Sequence, residues 1–320
     1  MVSLTRINPQ DSWNYDDVVE VLPSTGVLHY ARLILPIRKA VRKLDPDVCH
    51  GHYLTAAGFY CSVSGARNKI VSAWGSDLYK DCQVWSKRQC VKWAMNHSKV
   101  VLADSDHLVN ECRKLAPHSD VRKIIFGIDT ELFRPKPIKH DQFRFLSLRA
   151  TAPIYNPLVI VQAFLKAHLD AELWMYRPSA ESFDVMDFVN SDEYLKSHVV
   201  WLDKRPYDQM PELYNQVDIG ISITDWDSSS TSVNESLSCG VPVIASDILQ
   251  NREWVDFKNG YLVLGHKSPE CVAEAMKLMQ KEIDPEYGKN ARQKIVKDAD
   301  WNTEMQKAER IYKELKDENR

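Results

Sequence analysis

The chain is 320 residues long, with 44% apolar and 27% charged side chains, a length that suits two ordinary α/β cores and a balance that excludes a disordered or fibrous protein. Its formal charge of −3 and isoelectric point near 6.4 lack the basic footprint of a nucleic-acid binder, so no nucleic acid is expected as a partner. The seven cysteines (Cys49, Cys61, Cys82, Cys90, Cys112, Cys239 and Cys271) form no C-x-x-C pair. A scattered odd set suits a reducing compartment better than a disulfide framework or a metal centre.

The opening residues, MVSLTRINPQDSWNYDD, are polar and acidic where a signal peptide has its apolar stretch, and no apolar run reaches the roughly eighteen residues of a membrane span. A cytoplasmic protein is expected. From there, short β-branched runs alternate with amphipathic segments, the rhythm of βαβ units around parallel sheets. The candidate strands of the first half are Val18–Leu22, Asp47–Cys49, Lys69–Trp74, Val100–Ala103 and Lys123–Phe126. Three-to-four spacing predicts helices over Leu28–Leu44 and Cys82–Asn96. The first of these carries Arg32, Arg38, Lys39, Arg42 and Lys43, a basic face that is either simply solvated or a peripheral contact with anionic lipid head groups.

Phe133-Arg134-Pro135-Lys136-Pro137 forbids both a helix and a paired central strand and reads as a linker. This places one α/β domain over residues 1–137 and a second from residue 138 to about 300. The second has candidate strands Phe143–Leu148, Leu173–Tyr176, Val199–Leu202, Ile219–Ile223 and Val241–Ala245. Met305, Ala308, Ile311, Tyr312 and Leu315 predict a helix over the last twenty residues, 301–320.

No G-x-G-x-x-G fingerprint, phosphate loop, H-E-x-x-H or G-x-S-x-G motif is present. The informative stretch is DWDSSSTSVNESLSCGVPVIASD, Asp225 to Asp247. A strand, a small polar loop and then a helix carrying Thr231, Ser232 and Glu235 would let a ligand approach the backbone closely. The N–H groups at the helix start would suit a diphosphate. The alternative is a serine-rich loop in which Asp227 or Ser230 caps the helix and Glu235 is exposed.

This stretch resembles the donor-binding signature of the family-4 retaining glycosyltransferases: an acidic residue, seven positions, then Glu and a segment like E-A-x-A-x-G-x-P-V-I-A-S-D. Asp227 and Glu235 have that separation, Glu235 to Asp247 follow the segment, and Asn251–Trp254 and Asn259–Val263 look like the loop and strand beyond it. FLSLRATAPIYN, Phe145 to Asn156, resembles the family's first donor-domain strand and assigns Arg149 to the donor phosphates. DPDVCHGHYLTAAGF and KIVSAWGSDLY resemble its acceptor-side loops, P-D-x-x-H-x-H and H-G-x-D, which would put His50, His52, Trp74, Gly75 and Asp77 beside the acceptor.

The resemblance implies a GT-B fold, two Rossmann-like domains facing each other across a cleft, with the 301–320 helix crossing back to the first. It implies retaining, metal-independent hexosyl transfer from a UDP-, GDP- or ADP-sugar to a glycan, lipid-linked or small-molecule acceptor, with no cofactor. Asp227, Arg149, Glu235 and His52 would carry the chemistry, and Asn156, Arg177 and Ser229, Ser230, Thr231 and Ser232 would help hold the donor. Three departures stand out. The first domain looks abbreviated at its N-terminal strand and glycine loop. Tyr155 and Asn156 occupy the region of the family's second phosphate-binding cation, so that either Arg177 or Lys204 substitutes for it or donor affinity is weak. Trp74 replaces the His of H-G-x-D. A sugar-nucleotide-binding protein without transferase activity and a GT-B epimerase are the other readings.

Overall fold

The computed structural model describes residues 27–136, 138–178 and 183–318; the candidate strand Val18–Leu22 lies outside them. The described residues form two compact units. One runs to Ile124 and takes in the chain again from Ala308; the other is Ile125–Lys307.

The first unit holds four parallel strands in the order β1-β2-β3-β4: β1 (Cys49–His52), β2 (Lys69–Ser72), β3 (Val100–Ala103) and β4 (Val121–Lys123). Right-handed crossovers between strands laid down in one direction put their connecting segments on one face. On that face Leu54, Cys61, Val91, Met95 and Leu108 close over Val71, Val101 and Ala103. The strand side chains pointing the other way, Ile70, Val100 and Leu102, are covered by Ile311 and Leu315 of the Trp301–Asp317 helix. That helix therefore begins within the second unit and ends within the first.

The second unit is a six-stranded, all-parallel sheet in the order β10-β9-β8-β5-β6-β7. Its strands are β5 (Phe143–Ser147), β6 (Ala171–Tyr176), β7 (Val199–Leu202), β8 (Ile219–Ser222), β9 (Val243–Ser246) and β10 (Gly260–Val263). The chain builds outward from β5 to β7 and then returns to lay β8 against β5, pairing Phe145 with Ile219 and Ser147 with Ile221. Strand order reverses at that pair, and the loops leaving its carboxyl ends border a crevice. Helices Pro157–Ala167 and Pro269–Glu282 cover one face through Ile160, Phe164, Val272 and Met276. Val233, Leu237, Ala291 and Ile295 cover the other with Phe133 and Tyr214.

Several expected boundaries move, each for a physical reason. The strand expected at Lys123–Phe126 is Val121–Lys123, because Ile125 and Ile128 leave the first sheet to pack in the core of the second unit. The strand expected from Val241 begins at Val243: Pro242 has no N–H to give and contributes only its carbonyl, which accepts from Gly220 N at 2.9 Å. The strand expected at Asp47–Cys49 runs from Cys49 to His52 instead. Gly51 is required within it, since a Cβ there would stand 2.6 Å from the Ala57 carbonyl oxygen. Phe133 at the head of the expected linker is fully buried, its ring 5.1 Å from Tyr207 and 6.1 Å from Tyr214.

Candidate active site

Arg149 stands two residues beyond β5, and the Thr224–Ser230 loop leaves the neighbouring end of β8, so the strand reversal itself brings them together. Arg149 Nη1 donates to Ser230 Oγ at 2.7 Å and Ser232 Oγ at 3.3 Å, and Nη2 donates to the Tyr155 hydroxyl at 2.9 Å. The guanidinium also lies over the Tyr155 ring, 4.3 Å from its centre. Asp227 is 8% exposed; its Oδ1 accepts from Ser228 N at 2.9 Å and its Oδ2 lies 3.2 Å from Arg149 Nη1.

The helix Thr231–Ser238 starts at Ser230, whose side chain makes no capping hydrogen bond to the helix. Its hydroxyl is committed to Arg149 instead, so no N-cap side chain occupies the first helical N–H groups. The far end of the helix is fixed firmly. Gly240, at φ 75°, closes it with Val241 N donating back to Ser236 O at 3.0 Å. Arg292 Nη1 donates to Ser238 O at 3.2 Å and Phe133 O at 2.7 Å, placing a cation at the negative end of the helix dipole.

One turn into the helix, Glu235 is 6% exposed and its Oε2 accepts from the Tyr214 hydroxyl at 2.7 Å. This rules out the reading in which Glu235 sits on the surface. Burial pushes its carboxyl up to about 7, with the Tyr214 hydrogen bond and the Arg149 charge pulling the other way. Burial likewise raises Asp227, opposed chiefly by Arg149.

Asn156 adopts a left-handed conformation and donates from Nδ2 to Asp225 Oδ1 at 2.9 Å. Lys267 Nζ reaches the other oxygen of Asp225 at 2.9 Å, so a cation arrives at this corner from a loop the sequence reading did not consider. Arg177 donates from Nε to Asp203 Oδ1 at 3.1 Å, with both side chains mostly exposed, and is not joined to the Arg149 group. Tyr214 was missed because it lies outside the quoted motifs, and Tyr155, expected only to stand in the place of a second cation, is a direct partner of Arg149. The separation of Tyr214 from Glu235, 21 positions, follows no helical or strand period.

In the first unit, His50 has both ring nitrogens engaged, Nδ1 with the Tyr312 hydroxyl and Nε2 with Ser72 Oγ, each at 2.7 Å. Burial and the neighbouring His52 hold it neutral, down to about 3. His52 stacks on His50 with centroids 4.1 Å apart and meets the half-exposed Trp74 edge-on at 5.9 Å. Asp77 is fully buried and accepts from the backbone N–H groups of Leu54, Trp74 and Leu78 at 2.9 to 3.2 Å. Gly75 turns the chain at φ 91° ahead of it. Asp77 thus holds two loops in place, and His50 ties β1 to the last helix. His52 and Trp74 are the members of this set that present themselves to solvent.

Two parallel-sheet α/β units, with an arginine, two buried acids and a helix start without a side-chain cap at the strand reversal of the second, define a GT-B glycosyltransferase. The family model for group-1 glycosyl transferases matches residues 149–281, and that for glycosyl transferase 4-like domains matches residues 6–105. The chain belongs to the family-4 GT-B glycosyltransferases. It is 23% identical over 268 residues, 78% of this chain and 70% of the relative, to the N-acetyl-α-D-glucosaminyl L-malate synthase of Bacillus anthracis. Among solved structures it resembles sucrose-phosphate synthase from Thermosynechococcus elongatus, with TM-score 0.77 and 17% identity over 90% of this chain and 78% of that one. It also resembles HepE of Anabaena, solved in complex with UDP, with TM-score 0.75 and 16% identity over 92% of this chain and 85% of that one. Among the described residues no helix is long and apolar enough to cross a membrane.

Proposed function

We propose that this chain is a retaining, metal-independent hexosyltransferase using a nucleoside-diphosphate sugar. The observation that carries the reading is the guanidinium of Arg149, held against the start of the Thr231–Ser238 helix by two hydroxyls, with Asp227 at its side. Phosphate oxygens replace those hydroxyls as better acceptors for the guanidinium, and the serines then turn to donate. Backbone N–H groups from Ser229 to Ser232 complete the diphosphate seat. Glu235 accepts from the ribose hydroxyls and Asp227 from the transferring sugar.

In the reaction, the bond from the anomeric carbon to the leaving phosphate oxygen breaks and a bond to the acceptor oxygen forms on the same face. The acceptor proton passes to the departing phosphate, and the products are a glycoside and a nucleoside diphosphate. Arg149 and the helix dipole stabilise the charge that builds on the leaving group, which is the electrostatic task a divalent cation performs elsewhere. The α-linked product in the name of the Bacillus anthracis relative and the UDP bound by HepE support an α-configured uridine donor.

The test is to incubate the protein with UDP-, GDP- and ADP-hexoses and follow nucleoside diphosphate release with and without acceptors. Acceptor-dependent release giving an α-linked product supports the reading. Tight binding with no release would mean a sugar-nucleotide-binding protein instead, an inverted anomer would remove retention, and inhibition by a chelator would remove metal independence.

A further inference from the structure

Asp225 is bonded to more of the second unit than an acid at the entrance of a loop requires. Its Oδ1 accepts from Asn156 Nδ2 at 2.9 Å and lies 3.4 Å from His266 Nε2, and its Oδ2 accepts from Lys267 Nζ at 2.9 Å. Its backbone N–H donates to Ile154 O at 3.1 Å. The loop with Ile154 and Asn156 follows β5, Asp225 stands just past β8, and His266 and Lys267 lie in the turn after β10. One residue therefore ties together the loops leaving three strands, although β9 stands between β8 and β10. Burial raises the Asp225 pKa, but the bonds from Lys267, Asn156 and His266 outweigh it and hold the carboxyl below its ordinary value. With side chains 32% and 65% exposed, Asp225 and Lys267 contribute little to stability as an ion pair. What they hold in place matters more.

Asn156 stands at φ 47° and ψ 47°, immediately before Pro157. Proline pushes the residue ahead of it toward extended backbone, and a left-handed conformation is uncommon outside glycine, asparagine tolerating it better than most. Such a conformation persists where its surroundings over-determine it. Here the Asn156 side chain and the Ile154 carbonyl are both bonded to Asp225. Between them in the chain is Tyr155, which takes the Arg149 guanidinium over its ring at 4.3 Å and accepts from Nη2 through its hydroxyl at 2.9 Å. From the other side Asp227, in the same loop as Asp225, returns to Arg149 at 3.2 Å. Arg149, Tyr155, Asn156, Asp225 and Asp227 thus close a ring.

When phosphate oxygens displace Ser230 and Ser232 from the guanidinium, Tyr155 and Asp227 are the contacts that still hold it. We propose that Asp225 is a positioning residue for the transfer: braced by Lys267, it fixes Asn156 and the turn before it so that Tyr155 keeps Arg149 at the diphosphate seat. This role rests on the diphosphate seat proposed above. A loop staple with no bearing on the site would instead change stability and leave nucleotide binding as it is.

The test is titration calorimetry of the full chain with UDP, GDP and ADP. Asp225→Ala should weaken binding of the preferred nucleotide on the order of tenfold. Asn156→Gly, which permits the positive φ but removes the side-chain donor, should do the same. Lys267→Met should give a smaller loss, and Asp225→Asn, which keeps an acceptor for Asn156, should recover most of the affinity lost in Asp225→Ala. In an Arg149→Ala background, Asp225→Ala should have no further effect, because it acts through Arg149. A crystal structure of Asp225→Ala should show Tyr155 displaced from Arg149. If Asp225→Ala does not fold, Asn156→Gly and Lys267→Met carry the comparison. Unchanged affinity in Arg149→Ala would remove the diphosphate seat and the role of Asp225 with it. Weakened affinity there with unchanged affinity in Asp225→Ala or Asn156→Gly would remove the role of Asp225 alone. So would losses that multiply in the double variant, or an Arg149–Tyr155 stack left intact in the Asp225→Ala crystal.

Discussion

The Tyr214 hydroxyl donates to Glu235 Oε2 over 2.7 Å, inside a region where the tyrosine is 1% and the glutamate 6% exposed. Tyr214 arrives from the helix Met210–Tyr214, which precedes β8, while Glu235 belongs to the helix that follows it. The bond therefore fixes the direction of the carboxylate from a neighbouring helix packed in the same core on the same face of the sheet.

Tyr214→Phe removes the hydroxyl without opening a cavity. It should cost about 1 kcal/mol of stability, the ordinary worth of one hydrogen bond, and leave a buried carboxylate oxygen short of a donor. Because that hydrogen bond lowers the Glu235 pKa, its loss raises the pKa further. If ionised Glu235 grips the ribose, nucleotide affinity weakens as pH falls through about 7, and in the variant this midpoint moves to higher pH. Titration calorimetry with nucleoside diphosphate between pH 6 and 9 checks this, and superimposable profiles for the two proteins would refute the role given to Tyr214.

Glu235→Gln should stabilise the protein at alkaline pH. The folded-state pKa, about 7, is above the unfolded value, so the folded form holds its proton longer and stability falls as pH rises from roughly 4.5 through 7. Glutamine keeps an acceptor for Tyr214 and escapes the cost of a buried charge. The expected gain is on the order of 2 kcal/mol at pH 8, vanishing below pH 4.5, with loss of nucleotide affinity at pH 8. Denaturant unfolding at pH 8 and pH 4.5 reads the difference directly; an equal gain at both would show that charge is not the cause.

Arg149→Ala should reduce turnover by roughly a hundredfold or more, the scale for losing one aligned charge at a leaving group, and raise the pKa values of Asp227 and Glu235, both of which Arg149 lowers. Arg149→Lys restores the charge but not the fork of donors shared among Ser230, Ser232 and Tyr155, so it should recover only part of the rate. Full activity in the alanine variant would remove Arg149 from the mechanism.

The donor side was the more legible half of the sequence because its chemistry is local. Asp227, Ser230, Ser232 and Glu235 lie within one loop and helix, so spacing alone places them near one another, whereas Arg149 is assigned by the resemblance of Phe145–Asn156 to the family's first donor-domain strand. The strands Val100–Ala103 and Val199–Leu202 were read without error, being apolar runs bounded by polar residues. Partners that depend on tertiary closure were not visible. Tyr312 comes to His50 across 262 positions, and nothing near Pro46–His52 announces that the histidine will be used up there. Asp77 sits in a motif that suggests a ligand contact, yet its acceptors are taken by three backbone N–H groups. Ile125 and Ile128 form an apolar run like those that became strands, and only the core of the second unit decides where they go.

The position of the Thr231–Ser238 helix depends on a contact between backbones remote from the diphosphate seat. A Cβ added to Gly288, on the helix Pro285–Asp298, would stand 2.6 Å from the Gly240 carbonyl oxygen, and because that atom belongs to the backbone it cannot swing aside. Gly288→Ala must therefore push the two helices apart, straining the bonds by which Arg292 holds the end of the Thr231–Ser238 helix. The expected cost is about 1–3 kcal/mol, the usual range for overpacking a close contact. Displacing the helix also moves Glu235 relative to Tyr214 and the first N–H groups relative to Arg149, so nucleotide affinity should fall although residue 288 touches neither. Chemical denaturation and nucleotide titration of the same preparation separate the two effects. Lost stability with unchanged affinity would mean that the helix start is held by β8 and Arg149 alone, independently of how its far end is packed.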